Sequence, residues 1–75
     1  MTMAEYADPR RYMQLAATLR AQIANGTYVR DARIPSIRAL CEDYKLSRQT
    51  AGKALRILEQ EGLIRRVPGL GYHVA

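Results

Sequence analysis

Ser47, Arg48 and Gln49 stand together at the point where a new apolar periodicity begins, and their side chains suit one kind of chemistry. A guanidinium presents a planar fork of donors matching the O6 and N7 acceptors of guanine, and a primary amide can pair with adenine through two bonds. A serine just before a helix caps its first turn, where unpaired backbone N–H groups and the positive end of the dipole favour an anion. Thr50 falls in the same turn, where its hydroxyl could reach phosphate or its own backbone. Arg48, Gly52 and Arg56 are four apart and are expected to share one exposed face, with Gln49 and Lys53 beside it. Carboxylates would suit the start of a helix better than Arg, Gln or Thr, so their absence there fits a surface that meets phosphate. The competing reading is a solvated polar face on an ordinary three-helix bundle. It accounts for Lys53 and Arg56 but less well for the first turn.

Other chemistries find little support. His73 is the one histidine and Cys41 the one cysteine, so no cluster with zinc-ligand spacing exists and no metal or cofactor is expected. Cys41, beside Leu40, is expected to be a buried thiol of a reducing compartment. His73 lies between Tyr72 and Val74 in a strand pattern, where a residue near nucleic acid or solvent is a better reading than a general base. Gly69-Leu70-Gly71 lacks the Lys-Ser/Thr and the helix that a nucleotide-cradling loop requires. Glu59 and Glu61 are two apart on a helical pattern and do not face each other. Catalysis is not expected.

The chain's 75 residues allow one domain, and 48% of them are apolar, as folded domains require. Twelve Lys and Arg against seven Asp and Glu give a net charge of +5. The excess is uneven, with eight basic against four acidic residues in 33–75 and four against three in 1–32. Such a field favours a polyanion or an anionic membrane surface. No run of about 18 apolar residues and no signal-peptide block is present, so a soluble, cytoplasmic protein is expected.

The elements that would position the polar set follow from caps and periodicity. Residues 1–8 read as a flexible segment and 9–75 as the domain. Asp8-Pro9 opens a first helix whose apolar stripe is Tyr12, Leu15, Ala16, Leu19 and Ile23, and Asn25-Gly26 closes it. Tyr28 and Val29 are expected to pack back on its end. After a loop over 30–34 and an extended piece at Arg33-Ile34, Pro35-Ser36 starts a second helix. Ile37, Leu40 and Cys41 take one side of it and Arg38 and Glu42 the other, and it ends near Tyr44. Lys45 and Leu46 separate it from a third helix, 47–61, packed through Ala51, Ala54, Leu55 and Leu58. The small Ala51 and Ala54 allow a close helix-turn-helix corner. Leu63, Ile64 and Val67 then form a strand, Pro68 to Gly71 a turn, and Tyr72 to Val74 an antiparallel return. The fold class is α+β: a winged helix-turn-helix, three helices with a small antiparallel β-hairpin wing.

The chain resembles the DNA-binding domain of GntR-type winged-helix repressors over residues 9–74. The matching stretches run from Tyr12 to Tyr28, from Arg33 through Pro35-Ser36 to Leu40, from Leu46-Ser-Arg-Gln-Thr to Gly62-Leu-Ile, and from Val67-Pro-Gly-Leu-Gly to Val74. The resemblance implies that Arg38, Ser47, Arg48 and Gln49 contact DNA and that Gly69 to Gly71 form a wing at the minor groove. It departs from the family's pattern at Gly52, usually basic there, and at Leu70, usually basic or polar. It also implies a second, effector-binding and dimerising domain, for which these residues leave no room.

The expectation is therefore sequence-specific binding of double-stranded DNA, with helix 47–61 in the major groove and the wing, 68–72, near the minor groove. Arg38, Arg48 and Gln49 would read bases. Ser36, Ser47, Thr50, Lys53, Arg56, Arg65 and Arg66 would meet the backbone, and Gly69, Leu70, Gly71 and Tyr72 would form the wing. The partner would be an inverted repeat bound by a homodimer or by copies joined through a missing C-terminal domain, with repression the expected outcome and no membrane involved. The alternatives are a protein-interaction module using Leu70 and Tyr72, and a DNA-bending or recombination accessory factor.

Overall fold

A computed structural model describes residues 8–75. Of the segment expected to be flexible, 1–7 lie outside the described residues, while Asp8 belongs to the fold. Its carboxylate accepts the Arg10 backbone N–H at 3.0 Å and caps α1 (Pro9–Ala24), with Pro9 at the first helical position where no N–H is needed. Asn25 closes the helix, its side-chain oxygen taking up the Thr27 N–H, and Gly26 follows at φ +86°. Ser36 caps α2 (Ile37–Tyr44) by accepting from the Ala39 N–H, and Ser47 caps α3 (Arg48–Gln60) by accepting from the Thr50 N–H. Pro35 keeps Ile34 extended and so fixes where α2 can begin. Lys45 turns the chain between the two helices in the left-handed region at φ +56°, and the Leu46 N–H returns to the Cys41 carbonyl.

Two strands follow. β1 (Ile64–Val67) pairs antiparallel with β2 (Gly71–Val74), Ile64 opposite Val74 and Arg66 opposite Tyr72. The Leu70 N–H closes the turn on the Val67 carbonyl at 2.9 Å, with Pro68 second and Gly69 third at φ +77°. That is the residue pattern of a type II turn, which needs a glycine at its third position. The extended piece at Arg33-Ile34 does more than lead into α2. It lies against the outer edge of β2 through an antiparallel bridge between Arg33 and His73. The Ile34 N–H donates to Tyr72 O, the Val74 N–H to Ala32 O and the Asp31 N–H to Val74 O. The hairpin, marginal alone, thereby gains a third edge.

The core lies between α1, α3 and the inner face of the sheet. Leu15, Ala16 and Leu19 of α1 meet Ala51, Ala54, Leu55 and Leu58 of α3, and Ile34, Leu40, Ile64 and Val74 close it. Ala51 and Ala54 are fully buried, as a close α2–α3 corner requires. Arg20 of α1 holds Glu61, the C-cap of α3, through two parallel hydrogen bonds, Nε to Oε1 at 3.0 Å and Nη2 to Oε2 at 2.9 Å. Two packing expectations need correction. Val29 is 62% exposed, and only Tyr28 packs back on the core. Cys41 is half-buried rather than buried, because the side of α2 that carries it runs out to the edge of a cleft.

Candidate nucleic-acid interface

Helix α3 is the central element, with α1, α2 and β1 packed round it, so its buried arc is wide. Thr50, Ala51, Gly52, Ala54, Leu55 and Leu58 are all covered. This overturns the expected exposed row of Arg48, Gly52 and Arg56. Gly52 is buried against α2, where a Cβ would lie 4.0 Å from Ile37 Cδ1 and 3.8 Å from an Arg56 guanidinium nitrogen. Arg48, at the helix start, stays exposed, at the rim of a cleft it shares with Arg38 and Glu42 of α2. Gln49 and Arg56 are exposed on the outward side, and Lys53 is half-buried, its Nζ 6.0 Å from the centre of the Tyr12 ring.

Thr50 is also corrected. Only 3% of it is exposed, and its Oγ1 accepts hydrogen bonds from the Asp8 N–H at 3.2 Å and the Ser47 hydroxyl at 2.9 Å. Its hydroxyl is spent inside the protein and does not reach phosphate. Ser47 is half-buried and occupied in the same network, accepting from the Thr50 N–H at 3.2 Å. Its role at the helix start is the cap itself.

What remains at the surface is coherent. Arg38, Cys41, Glu42 and Arg48 line an open cleft of about 430 Å³ between α2 and the beginning of α3. Arg38 lies almost free in solvent, its side chain 87% exposed, and its Nε contacts Glu42 one turn on at 3.3 Å. An exposed pair of this kind contributes roughly 0–1 kcal/mol and leaves the guanidinium available. None of the three helices has an acidic residue in its first turn. Ser36 is exposed at the N-terminus of α2 and Ser47 marks that of α3, so two positive dipole ends accompany Arg38 and Arg48.

The wing is the turn between β1 and β2. Leu70 at its tip is 56% exposed. Tyr72 is half-buried and engaged: Arg66, opposite it across the hairpin, donates from Nη2 to the phenolic oxygen at 2.8 Å while its guanidinium carbon lies 5.4 Å from the ring centre. That hydrogen bond, followed by the attraction of the Tyr72 oxygen, raises the Arg66 pKa above its ordinary value. Arg65 points to the opposite face and contacts the Asp31 carboxylate at 3.1 Å. Half-buried His73 lies between Arg65 and Arg33 on that face, with Nδ1 enclosed and unpaired among the described residues. Arg33 belongs to this group although its sequence position gave no sign of it, since a single bridge leaves no periodicity to read.

Three helices with a close helix-turn-helix corner, an acid-free α3 start and a flanking hairpin define a winged helix-turn-helix domain of the DNA-binding class. A family model described as "Bacterial regulatory proteins, gntR family" matches residues 11–74. The chain belongs to that family. It is 37% identical over 71 residues to the "Exu regulon transcriptional regulator" of Escherichia coli K12, covering 93% of this chain and 28% of the relative. The "HTH-type transcriptional repressor NagR" of Bacillus subtilis is 39% identical over 64 residues, covering 85% of this chain and 26% of its own length. This chain thus spans about a quarter of the length of these two relatives. Among solved structures, the DNA-binding domain of AraR in complex with operator ORE1 is similar with a TM-score of 0.85 and 32% identity, covering 95% of this chain and 85% of that one. A GntR-family regulator from Listeria monocytogenes gives a TM-score of 0.82 at 26% identity, covering 85% of this chain and 56% of that one. Among the described residues no helix is long and apolar enough to cross a membrane.

Proposed function

We propose that this domain reads one half of a DNA operator, with the start of α3 in the major groove and residues 68–72 at the adjacent minor groove. The observation that carries this reading is the projecting pair at the start of α3. Arg48 and Gln49 are both exposed, follow a satisfied cap, and meet no carboxylate in the first turn. Arg48 and Gln49 read base edges, and Arg38 reaches the same groove from across the cleft. Ser36, Lys53, Arg56, Arg65 and Arg66 face phosphates, with Ser47 acting by holding the helix end that meets them. The likeness to an operator-bound DNA-binding domain supports the same orientation.

Beyond the single domain, we propose a repressor acting in the bacterial cytoplasm as a pair of copies on an inverted repeat, joined by sequence that relatives carry beyond the matched region. Two-fold symmetry of the protein maps onto a palindrome, and one isolated copy binds weakly until a second is tethered to it. A wing devoted to protein contact has only Leu70 in its favour, because the Tyr72 hydroxyl is already engaged by Arg66.

Selection from a random duplex pool tests the reading. The expected outcome is enrichment of one short motif, in inverted copies when two domains are tethered, and loss of preference at one base position with Arg48→Ala. A pool that stays random after selection rejects it.

A further inference from the structure

We propose that Arg33 is a third cation of the wing and binds a backbone phosphate beside the hairpin, a contact that rests on the DNA-binding reading above. Arg33 precedes α2 in the chain and is remote from both strands in sequence, yet it pairs with His73 on the outer edge of β2. Its guanidinium extends along the sheet to the turn. The position where a side chain would begin on Gly71 is 3.5 Å from Arg33 Nε and 3.6 Å from Nη2. Gly71 sits at φ +88°, a conformation that favours glycine, so the floor beneath the guanidinium is bare backbone. The cation is exposed and lies over the residue that follows Leu70 at the tip.

Charge balance on the hairpin singles it out. Arg65 is compensated by Asp31, and Arg66 is held against the ring and hydroxyl of Tyr72 on the other face. Arg33 makes no ion pair among the described residues. A guanidinium fixed by a backbone bridge at its root and lying over an open glycine is preorganised for the tetrahedral oxygens of a phosphate. Arg65 stands on the same face with Asp31 beside it, an exposed pair that leaves its guanidinium available as well, and Arg33 adds a second, unpaired cation there.

The test is a salt titration of binding to the selected duplex and to a random duplex, for wild type, Arg33→Gln and Arg33→Lys. Losing one phosphate contact lowers the slope of log K against log salt by about 0.9. The wild-type advantage over Arg33→Gln should then shrink by about 3.5-fold between 50 and 200 mM salt, equally on both duplexes, while Arg33→Lys keeps the slope. A scan of the duplex with single neutral methylphosphonates then locates the phosphate, by comparing wild type with Arg33→Gln. One wing-side phosphate should weaken wild-type binding when neutralised and have no effect on Arg33→Gln. Duplex binding with unchanged slope in Arg33→Gln, or no such phosphate in the scan, overturns the role of Arg33 alone. Failure of the wild type to bind any duplex overturns the DNA-binding reading with it.

Discussion

The backbone N–H of Asp8 donates to Thr50 Oγ1 at 3.2 Å, so the cap of the first helix and the opening turn of the third are fastened to each other. Ser47 completes the arrangement by donating to the same oxygen at 2.9 Å and accepting from the Thr50 N–H. Thr50→Val keeps the volume and removes the acceptor, leaving the Asp8 N–H and the Ser47 hydroxyl without a partner. The expected cost is about 1–3 kcal/mol, a fall in melting temperature of roughly 4–8 °C for each kcal/mol. Thermal unfolding checks it, and an unchanged midpoint would show that the network contributes nothing.

Gly52→Ala should act in the opposite direction. A Cβ there meets Ile37 Cδ1 at 4.0 Å and an Arg56 nitrogen at 3.8 Å, both ordinary contacts, so no neighbour has to move. Replacing an interior helical glycine with alanine should then stabilise the domain by about 0.5–1 kcal/mol. Denaturant unfolding decides the sign. A lower midpoint for the variant would mean that α2 and α3 approach too closely at this point for any side chain.

Arg48→Ala should cost about 1–3 kcal/mol of discrimination at one base position, as expected for loss of a bidentate base contact. Competition binding against point-substituted duplexes measures this. Equal losses on the selected site and on random DNA would demote Arg48 to a phosphate contact.

Arg66 and Tyr72 give a contrast within the wing. Arg66→Ala removes a charge and should lower the salt slope by about one unit on every duplex. Tyr72→Phe retains the ring beneath the guanidinium and loses only the 2.8 Å hydrogen bond, so the slope should hold while affinity falls slightly. A slope change in Tyr72→Phe matching that of Arg66→Ala would show that the hydroxyl alone keeps the cation in place.

Much of this architecture is legible in local signals. Asp8 and Ser47 each cap the helix that the sequence assigns to them, α2 begins just after Pro35-Ser36, and Pro68-Gly69 marks the hairpin turn. Arg38, Arg48 and Gln49 emerge exposed as expected. The misreadings arise where distant parts of the chain decide the environment. Gly52 sits four residues from two exposed arginines, but α2 covers that side of α3, and no spacing rule within α3 encodes its neighbour. Thr50 looks like an outward hydroxyl because the donor that occupies it comes from Asp8, at the other end of the domain. Arg33 carries no strand periodicity, since a single bridge holds it to β2.

The extra edge that residues 31–34 supply to β2 also fixes a length. The hairpin cannot swing outward without pulling on Ile34, whose N–H is held by Tyr72 O at 3.0 Å, and hence on Pro35 and Ser36 where α2 begins. These backbone hydrogen bonds tie the hairpin to the start of the helix pair, like the jaws of a caliper held at one setting. If the proposed docking holds, a duplex whose two grooves are spaced differently would have to bend or twist to fit, and DNA stiffness is then expected to enter the affinity.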